Sequence, residues 1–494
     1  MTTDTDTLDA EAVVVGSGFG GAVTAARLAE ALGDRLLIVE RGREIAPGGF
    51  PRTGAQVLAE MRTRSHPMGM YDLRAGRDLD ILVSNVLGGG SQIYAGVTIP
   101  PDDEVFDTVE QNRRIWPAAL DGETLHHHYV AVMERLGSRP WPHAAAKADA
   151  LRSFAETHRL PLERPPLAIN TVDGESPACT GCGNCVTGCN VGAKNTLTTN
   201  YLRDAAAKGA RIRTGIEVTG LRPGTRRRWQ LEALHRRDGA TRALTIHARV
   251  LVLSAGTLGT TELLLRARRD GLPLSDALGT RLSGNGDDWC VAYAPGDRHT
   301  APPTGPTITT TAVVGASDER VLLQDGAIPS AVGGAAARAI SALARRLPGA
   351  LGLRAPALAD SRVWLAMGAD CPHGTASLDS HGRLTVARDP CIPLDQIRTH
   401  LLDDLARSHR ARPVRPPRPV PITVHPLGGC PAADDVDHGV VDSLGAVYHP
   451  DGGYHDGLYV LDGSLAPTAL GANPSLAIAA IADRAAARLI ERFR

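Results

Sequence analysis

The stretch Val13 to Glu40 limits the fold of this chain more than any other. Ala12-Val-Val-Val15 reads as a short buried strand, and Gly16-Ser-Gly18-Phe-Gly20-Gly21 follows at once. Ala22 to Leu32 is rich in Ala, Leu, Arg and Glu with no breaker, so it reads as a helix. Leu36-Leu-Ile-Val39 is a second strand, closed by Glu40. In such a unit Gly16 permits the tight turn, Gly18 lets the backbone approach a pyrophosphate, and Gly21 lets helix pack on strand. The helix N-terminus then offers N–H groups and partial positive charge to the phosphates. Glu40 is placed to accept hydrogen bonds from a ribose diol, which favours FAD or NAD over NADP.

Size and charge narrow the rest. At 494 residues the chain exceeds one compact core, so two or three domains are expected. A formal net charge of −1 implies no general attraction to nucleic acid. No apolar run approaches the roughly 18 residues of a membrane span, so no integral membrane segment is expected. The N-terminus is acidic and polar and shows no signal peptide, so a cytoplasmic location is expected.

Two further segments carry chemistry. Asn473-Pro474 precedes the strongly helical Ser475 to Ile490, with Asn as N-cap and Pro at the first helical position. His425 lies in a Gly- and Pro-rich turn after the apolar Pro421 to Val424. A histidine there can take a proton near neutral pH. A second glycine loop, Gly88-Gly-Gly-Ser91, is flanked by Ile81, Leu82, Val83 and Ile93, which suggests packed backbone near a ligand rather than a free linker.

With these residues in hand, the chain resembles the glucose–methanol–choline oxidoreductase family, in its cholesterol-oxidase-like bacterial branch. The likeness is carried by the loop at Gly16, by Gly88 to Gly96, by Trp116-Pro117 and Glu134-Arg-Leu-Gly137, by Val250 to Leu263 with Asn285-Gly-Asp287, and by Val424 to Cys430 with the blocks at Gly439, Leu458 and Gly471. The resemblance implies an α/β fold: a Rossmann-type FAD-binding domain assembled from several segments, with an inserted α+β substrate domain on a mostly antiparallel sheet. The FAD-binding segments would be residues 8–115, 179–290 and 421–494, and the substrate segments 116–178 and 291–420. It further implies that FAD is held by Gly16, Gly18, Phe19, Gly20, Gly21, Glu40 and Arg41, by Gly88, Gly89 and Ser91, by Val218, Ala255 and Gly256, by Asp462 and Gly463, and by Asn473, Pro474 and Ser475. His425 would be general base or hydroxyl anchor and Asn473 its partner at the flavin. The implied reaction is oxidation of a bulky, apolar, small-molecule alcohol by hydride transfer to flavin N5.

One departure qualifies that reading. Sterol oxidases of this family carry a mid-chain carboxylate base, and the nearest match here, Val321-Leu-Leu-Gln324-Asp-Gly-Ala-Ile-Pro329, has an amide in its place. Double-bond migration would then need Asp325 or Glu319. This motivates an alternative: a tailoring enzyme catalysing isomerisation or cyclisation without net redox change.

The run Cys179-x₂-Cys182-x₂-Cys185-x₃-Cys189 has the spacing of bacterial ferredoxins. It is a candidate ligand set for an iron–sulfur cluster, with Cys290, Cys371, Cys391 and Cys430 as candidates for a remote fourth ligand. Reduced structural thiols, one local disulfide and zinc are the competing readings. His126-His-His128 is expected to be a solvated helix turn, Arg412 to Pro421 an extended connector, and Ala335 to Leu353 a core helix or pocket lid.

Overall fold

The computed structural model describes residues 6–171, 177–293, 305–316, 319–331, 361–414 and 420–493. The expected helix at Ala335 to Leu353 lies outside the described residues.

The larger sheet grows from the apolar runs. Strands β1 (Asp6–Val15), β2 (Leu36–Val39), β3 (Arg211–Arg213), β4 (Ile216–Pro223), β5 (Trp229–Arg237) and β6 (Ala240–Leu253) lie in the order β3-β2-β1-β6-β5-β4. β1 pairs in parallel with β2 and with β6 along its length. Val13, Val14, Leu36 to Val39 and Val250 to Leu253 are buried, as strands covered on both faces require. On the edge away from β1, β6 serves two further neighbours: Ala240 to Ala248 pairs antiparallel with β5, while Leu251 to Leu253 pairs in parallel with Leu458 to Val460 of the strand Tyr454–Val460. The C-terminal segment thus joins the sheet across β6 from the N-terminal strand.

Helices α1 (Phe19–Leu32), α2 (Gly122–Arg135), α3 (Gly256–Arg269) and α4 (Ser475–Leu489) pack around this sheet. Asp483 of α4 joins three of them. Its carboxylate takes Nε and Nη2 of Arg27 on α1 at 2.7 and 2.9 Å, and Nδ1 of His128 on α2 at 2.8 Å. His128 is therefore buried, not solvated as expected, while His126 and His127 are exposed.

The second sheet comprises β7 (Asp288–Tyr293), β8 (Thr311–Val314), β9 (Val321–Asp325), β10 (Ser361–Gly368) and β11 (Arg412–Val414) in the order β11-β7-β10-β9-β8, with Leu162–Glu163 beyond β8. Every neighbouring pair is antiparallel, as expected for the inserted unit. The expected connector from Arg412 begins as an edge strand of this sheet, and the expected boundary after residue 290 falls inside β7. Alternation along β9 divides the faces. Val321 and Leu323 point to a core shared with the helices Asp149–His158 and Ile392–Ser408. Leu322 and Gln324 point the other way, where Leu322, Leu365 and Met367 meet Ala472 of the C-terminal segment.

Asp483 supplies a test of the helix packing. Burial raises its carboxyl, but hydrogen bonds from His128 and Arg27 outweigh this and hold it down to about 2. Its folded value is below the unfolded one, so its contribution is complete above about pH 4 and fades as pH falls toward 2. Asp483→Ala is expected to lose about 2 kcal/mol in urea unfolding at neutral pH, with the gap to wild type closing in acid. A pH-independent gap would show that the charge is not what matters.

Candidate active site

The first glycine loop is fixed by close backbone approach. A Cβ on Gly16 would lie 2.1 Å from the Ser254 carbonyl oxygen, one on Gly20 1.7 Å from that of Leu461, and one on Gly21 2.1 Å from that of Gly16. The second loop docks on the first. A Cβ on Gly89 would lie 2.7 Å from Gly18 Cα, and Gly88 N–H donates to Ser17 Oγ at 2.9 Å. Ser91 holds that loop from behind, donating to Gly88 O at 2.7 Å and accepting from Leu197 N at 3.1 Å. Phe19, the first residue of α1, packs its ring on Tyr94 with centroids 5.5 Å apart.

Glu40 ends β2 beside these loops. Its Oε2 accepts from Ser17 N at 3.1 Å and Ser17 Oγ at 2.6 Å, and its Oε1 accepts from Gly42 N at 2.7 Å. A carboxylate offers about four lone-pair sites, so one remains for a diol. Ile216 N donates to the Glu40 carbonyl at 2.9 Å, which brings Val218, two residues along β4, to the same end of the sheet. Arg41 turns elsewhere: its Nε reaches Asn85 Oδ1 at 2.6 Å and its Nη2 reaches Asp72 Oδ2 at 3.0 Å.

The third contributor is the start of α3. Asp462 Oδ2 accepts from Gly256 N at 2.9 Å and from Thr260 Oγ1 at 2.5 Å, while Oδ1 accepts from Ser464 N and Oγ at 2.9 and 2.6 Å. The buried Asp462 thereby ties Ala255-Gly256 to Gly463-Ser464. Positions where a side chain would meet nothing are equally informative. A Cβ on Gly18 or Gly256 would have no atom within 4 Å. At Gly18, whose backbone is extended, protein structure does not demand glycine, whereas Gly256 has a left-handed φ of 79° that favours it; each lies at the start of a helix, where the first N–H groups have no partner within the helix. These residues fit FAD.

At the C-terminal segment the helix α4 begins one residue later than expected. Pro474 is its N-cap, and the Asn473 side chain does not cap it. Asn473 Oδ1 instead accepts from Gln324 Nε2 at 2.8 Å. Asn285 fixes the loop before it, with Oδ1 accepting from Leu470 N and Gly471 N at 2.8 and 3.1 Å and Nδ2 donating to Ala472 O at 2.8 Å. Two residues on, Asp287 Oδ1 lies 2.9 Å from His425 Nδ1, while its Oδ2 accepts from Thr423 Oγ1 and Val424 N. One short turn therefore clamps both His425 and the approach to Asn473. Because Asp287 accepts, Nδ1 carries the proton and Nε2 is left as the acceptor of a neutral ring. Asp370 holds that turn in place, accepting from Ser283 Oγ at 2.6 Å and from the N–H groups of Gly284 and Gly286. Ser17, Asp287, Asn285 and Asp370 had no assigned role in the sequence reading. The block Asn285-Gly-Asp287 was a signal for two of them; nothing local marks Ser17 or Asp370.

Neither candidate acid replaces the missing base. Asp325 points away from Gln324, where it accepts from Lys147, from the N–H groups of Thr309 and Thr310, and from Thr309 Oγ1. Glu319 is exposed.

The cysteine expectation is corrected. Among the described residues no group of three or more His, Cys, Asp or Glu is placed to hold a metal ion. Cys179, Cys182, Cys185 and Cys189 are free thiols. Burial pushes Cys179 up to about 12 and Cys185 upward as well, so neither is poised as a thiolate. The remote candidates are elsewhere: Cys290 and Cys430 sit in separate hydrophobic cores, and Cys371 is disulfide-bonded to Cys391. That disulfide is not what the expected reducing compartment would favour. The cysteine segment has a mechanical role instead. The buried Lys194 Nζ donates to the carbonyls of Cys185, Gln92 and Tyr94 at 2.6, 2.8 and 3.1 Å, stapling the segment to the second glycine loop.

A βαβ unit with two docked glycine loops, a helix start facing open space and a His–Asp pair under an antiparallel sheet defines a flavin-dependent oxidoreductase. The chain belongs to the GMC oxidoreductase family, whose N-terminal model matches residues 10–283 and whose C-terminal model matches residues 418–482. It is similar to a cholesterol oxidase of Mycobacterium tuberculosis, 28% identical across 97% of this chain and 90% of that one, and to a cholesterol oxidase of Acinetobacter baumannii, 26% identical across 97% and 94%. In fold it is similar to pyridoxine 4-oxidase from Mesorbium loti, with a TM-score of 0.68 at 17% identity over 97% of this chain and 99% of that one. A fungal aryl-alcohol oxidase gives a TM-score of 0.63 at 15% identity over 98% and 99%. The redox-neutral alternative finds no support in these likenesses, which are to oxidases. No helix among the described residues is long and apolar enough to cross a membrane.

The two kinds of glycine predict different failures. Gly18→Val has room for its side chain and extended backbone, so the protein should fold but bind FAD at least about tenfold more weakly, seen as lost visible absorbance after desalting. Gly89→Val meets backbone at a left-handed φ of 53° and should lower the melting temperature of the apoprotein. Full flavin retention by Gly18→Val would show that the open space is not the cofactor cradle.

Proposed function

We propose that this chain oxidises a bulky, apolar alcohol, with His425 Nε2 taking the hydroxyl proton and Asn473 Nδ2 holding the reacting oxygen. FAD, when bound, supplies the acceptor for the hydride. The observation that carries the reading is the Asp287–His425 pair, which fixes the ring and leaves Nε2 able to accept. Asp287 also stabilises the imidazolium that forms when the proton arrives, because its carboxylate is buried and faces the charged ring. Gln324 orients Asn473 by engaging its Oδ1, so that Nδ2 is the amide atom left to donate.

The apolar character is read from the wall above. Leu322, Leu365 and Met367 are buried against Ala472, with Ile99, Trp289 and Val313 packed around them. A sheet face of this composition suits a hydrocarbon skeleton better than a sugar. Because an amide cannot carry a proton between carbons, the product should keep any double bond where the substrate had it.

The test is anaerobic mixing of the holoenzyme with a panel of sterols and long-chain alcohols, followed by absorbance of the flavin and mass analysis of the product. Wild type should bleach and yield an unshifted ketone or aldehyde. His425→Ala should slow bleaching by about 10²–10⁴-fold, and Asp287→Asn should slow it as well. Bleaching of His425→Ala at the wild-type rate would remove His425 from the mechanism. A product of unchanged mass would favour the redox-neutral chemistry instead.

A further inference from the structure

The Cys371–Cys391 disulfide stands one residue from a carboxylate that holds the active-site turn. It crosslinks positions 20 apart in sequence. It joins the segment leaving β10 to the start of the helix Ile392–Ser408. The loop it closes carries a hairpin, Thr375–Leu378 paired with Leu384–Ala387.

One edge of this closed loop lies along the turn. Asp370 accepts from Ser283 Oγ and from the N–H groups of Gly284 and Gly286. Gly374 and Leu282 exchange both backbone hydrogen bonds, at 2.9 and 3.1 Å, and Ala376 N donates to Gly279 O at 2.7 Å. The loop of His425 lies along the other edge of the same strip. Ser283 and Leu427 exchange both backbone bonds, at 2.9 and 3.0 Å, and Gly429 N donates to Thr280 O at 2.9 Å. Residues 279–287 are therefore a middle strip between the crosslinked loop and the loop of His425. Asp287, at its end, meets His425 Nδ1.

Asp370 is anchored on both sides. Arg398 of the helix donates from Nη1 to Ala369 O at 2.7 Å, and the disulfide fixes Cys371. Cys391 is buried, whereas Cys371 is partly exposed, so a thiolate from solvent has one sulfur within reach. The crosslink is thus both open to thiol chemistry and next to the residue that holds the strip.

We propose that Cys371–Cys391 is a thiol-sensitive redox site that sets the alignment of His425. The reductant is a dithiol. Its thiolate attacks Cys371 Sγ, the S–S bond breaks, and Cys391 leaves as a thiolate that takes up a proton. The second sulfur of the dithiol then displaces Cys371. Two protein thiols remain, and the dithiol departs as a disulfide, so two electrons and two protons have passed to the protein. Asp370 then keeps only the anchor at Ala369, the strip 279–287 loosens, and Asp287 no longer holds the imidazole in one direction. This rests on His425 as proton acceptor and adds regulation to that reading.

The test compares holoenzyme before and after treatment with dithiothreitol and anaerobic desalting. Alkylation in denaturant should label six cysteines before reduction and all eight after it. Hydrogen exchange read by mass should quicken in peptides covering 279–287 and 423–429, with the βαβ unit unchanged. Flavin bleaching by saturating alcohol should slow roughly tenfold to a hundredfold with FAD retained. The Cys371→Ser/Cys391→Ser double variant should be slow from the start and indifferent to dithiothreitol. A purely structural crosslink would lower the melting temperature and leave bleaching as it was. The proposal is overturned by that result, by eight labelled cysteines before reduction, or by unchanged exchange in both peptides. The catalytic reading fails separately: bleaching of His425→Ala at the wild-type rate would refute it, while labelling and exchange would still decide whether the disulfide governs the strip.

Discussion

Backbone carbonyls crowd Gly16, Gly20 and Gly21 of the first glycine loop so closely that no side chain fits at those three positions, and everything else in the site is built outward from that contact. Ser254 O presses on Gly16, and Leu461 O presses on Gly20. Those two carbonyls belong to the ends of β6 and of the strand beside it, so the loop is seated where N-terminal, middle and C-terminal segments meet. Asp462 follows Leu461 directly and accepts from Gly256 at the start of α3. A single residue therefore registers the C-terminal segment against the start of α3. Segments more than 400 residues apart in sequence become one cradle because their backbones are in van der Waals contact. Side chains of suitable chemistry alone would not achieve that.

The reacting end depends on a different device, a turn held from both sides. Asn285 binds the loop that leads to Asn473, Asp287 binds His425, and Asp370 receives the N–H groups of Gly284 and Gly286 on either side of Asn285. Asp370 adjoins Cys371, whose disulfide to Cys391 anchors the end of β10 to the start of the helix Ile392–Ser408. Histidine geometry is thus transmitted to the rigid second sheet through carboxylates rather than through loop packing. Each of these carboxylates is buried and hydrogen-bonded, the condition under which burial of charge is tolerable.

Legibility in the sequence followed the range of the interactions. The βαβ unit, the second glycine loop and the helix after Pro474 were readable because their signals are local: strand apolarity, turn glycine, cap chemistry. The antiparallel second sheet was accessible only through family resemblance, since its strands are short and its pairings span from Leu162 to Val414. The cysteine run misled because spacing along the chain says nothing of where thiols point, and here the segment is organised around Lys194. His128 misled for a related reason. A triple histidine looks solvated until Asp483, 355 residues away, supplies the partner that buries one member. The N-cap at Asn473 failed by one position because Gln324 captured the amide oxygen that would have capped the helix.

That capture shows why the amide at position 324 is more than the loss of a base. A glutamate there could accept from Asn473 Nδ2 but could not donate to its Oδ1, so the asparagine would have to turn. Gln324 donates, so Oδ1 is satisfied inside the protein and, in the proposed reaction, Nδ2 is the atom left to hold the alcohol oxygen. Asp325, the adjacent carboxylate, cannot intrude, because strand alternation sends it to the opposite face. There Lys147, Thr309 and Thr310 consume its hydrogen-bonding capacity. Among the described residues the sheet side of the site thereby offers no carboxylate at position 324 or 325, and the proposed proton acceptor, His425, stands on the other. Such a division suits a reaction in which one proton leaves an oxygen and none is moved between carbons.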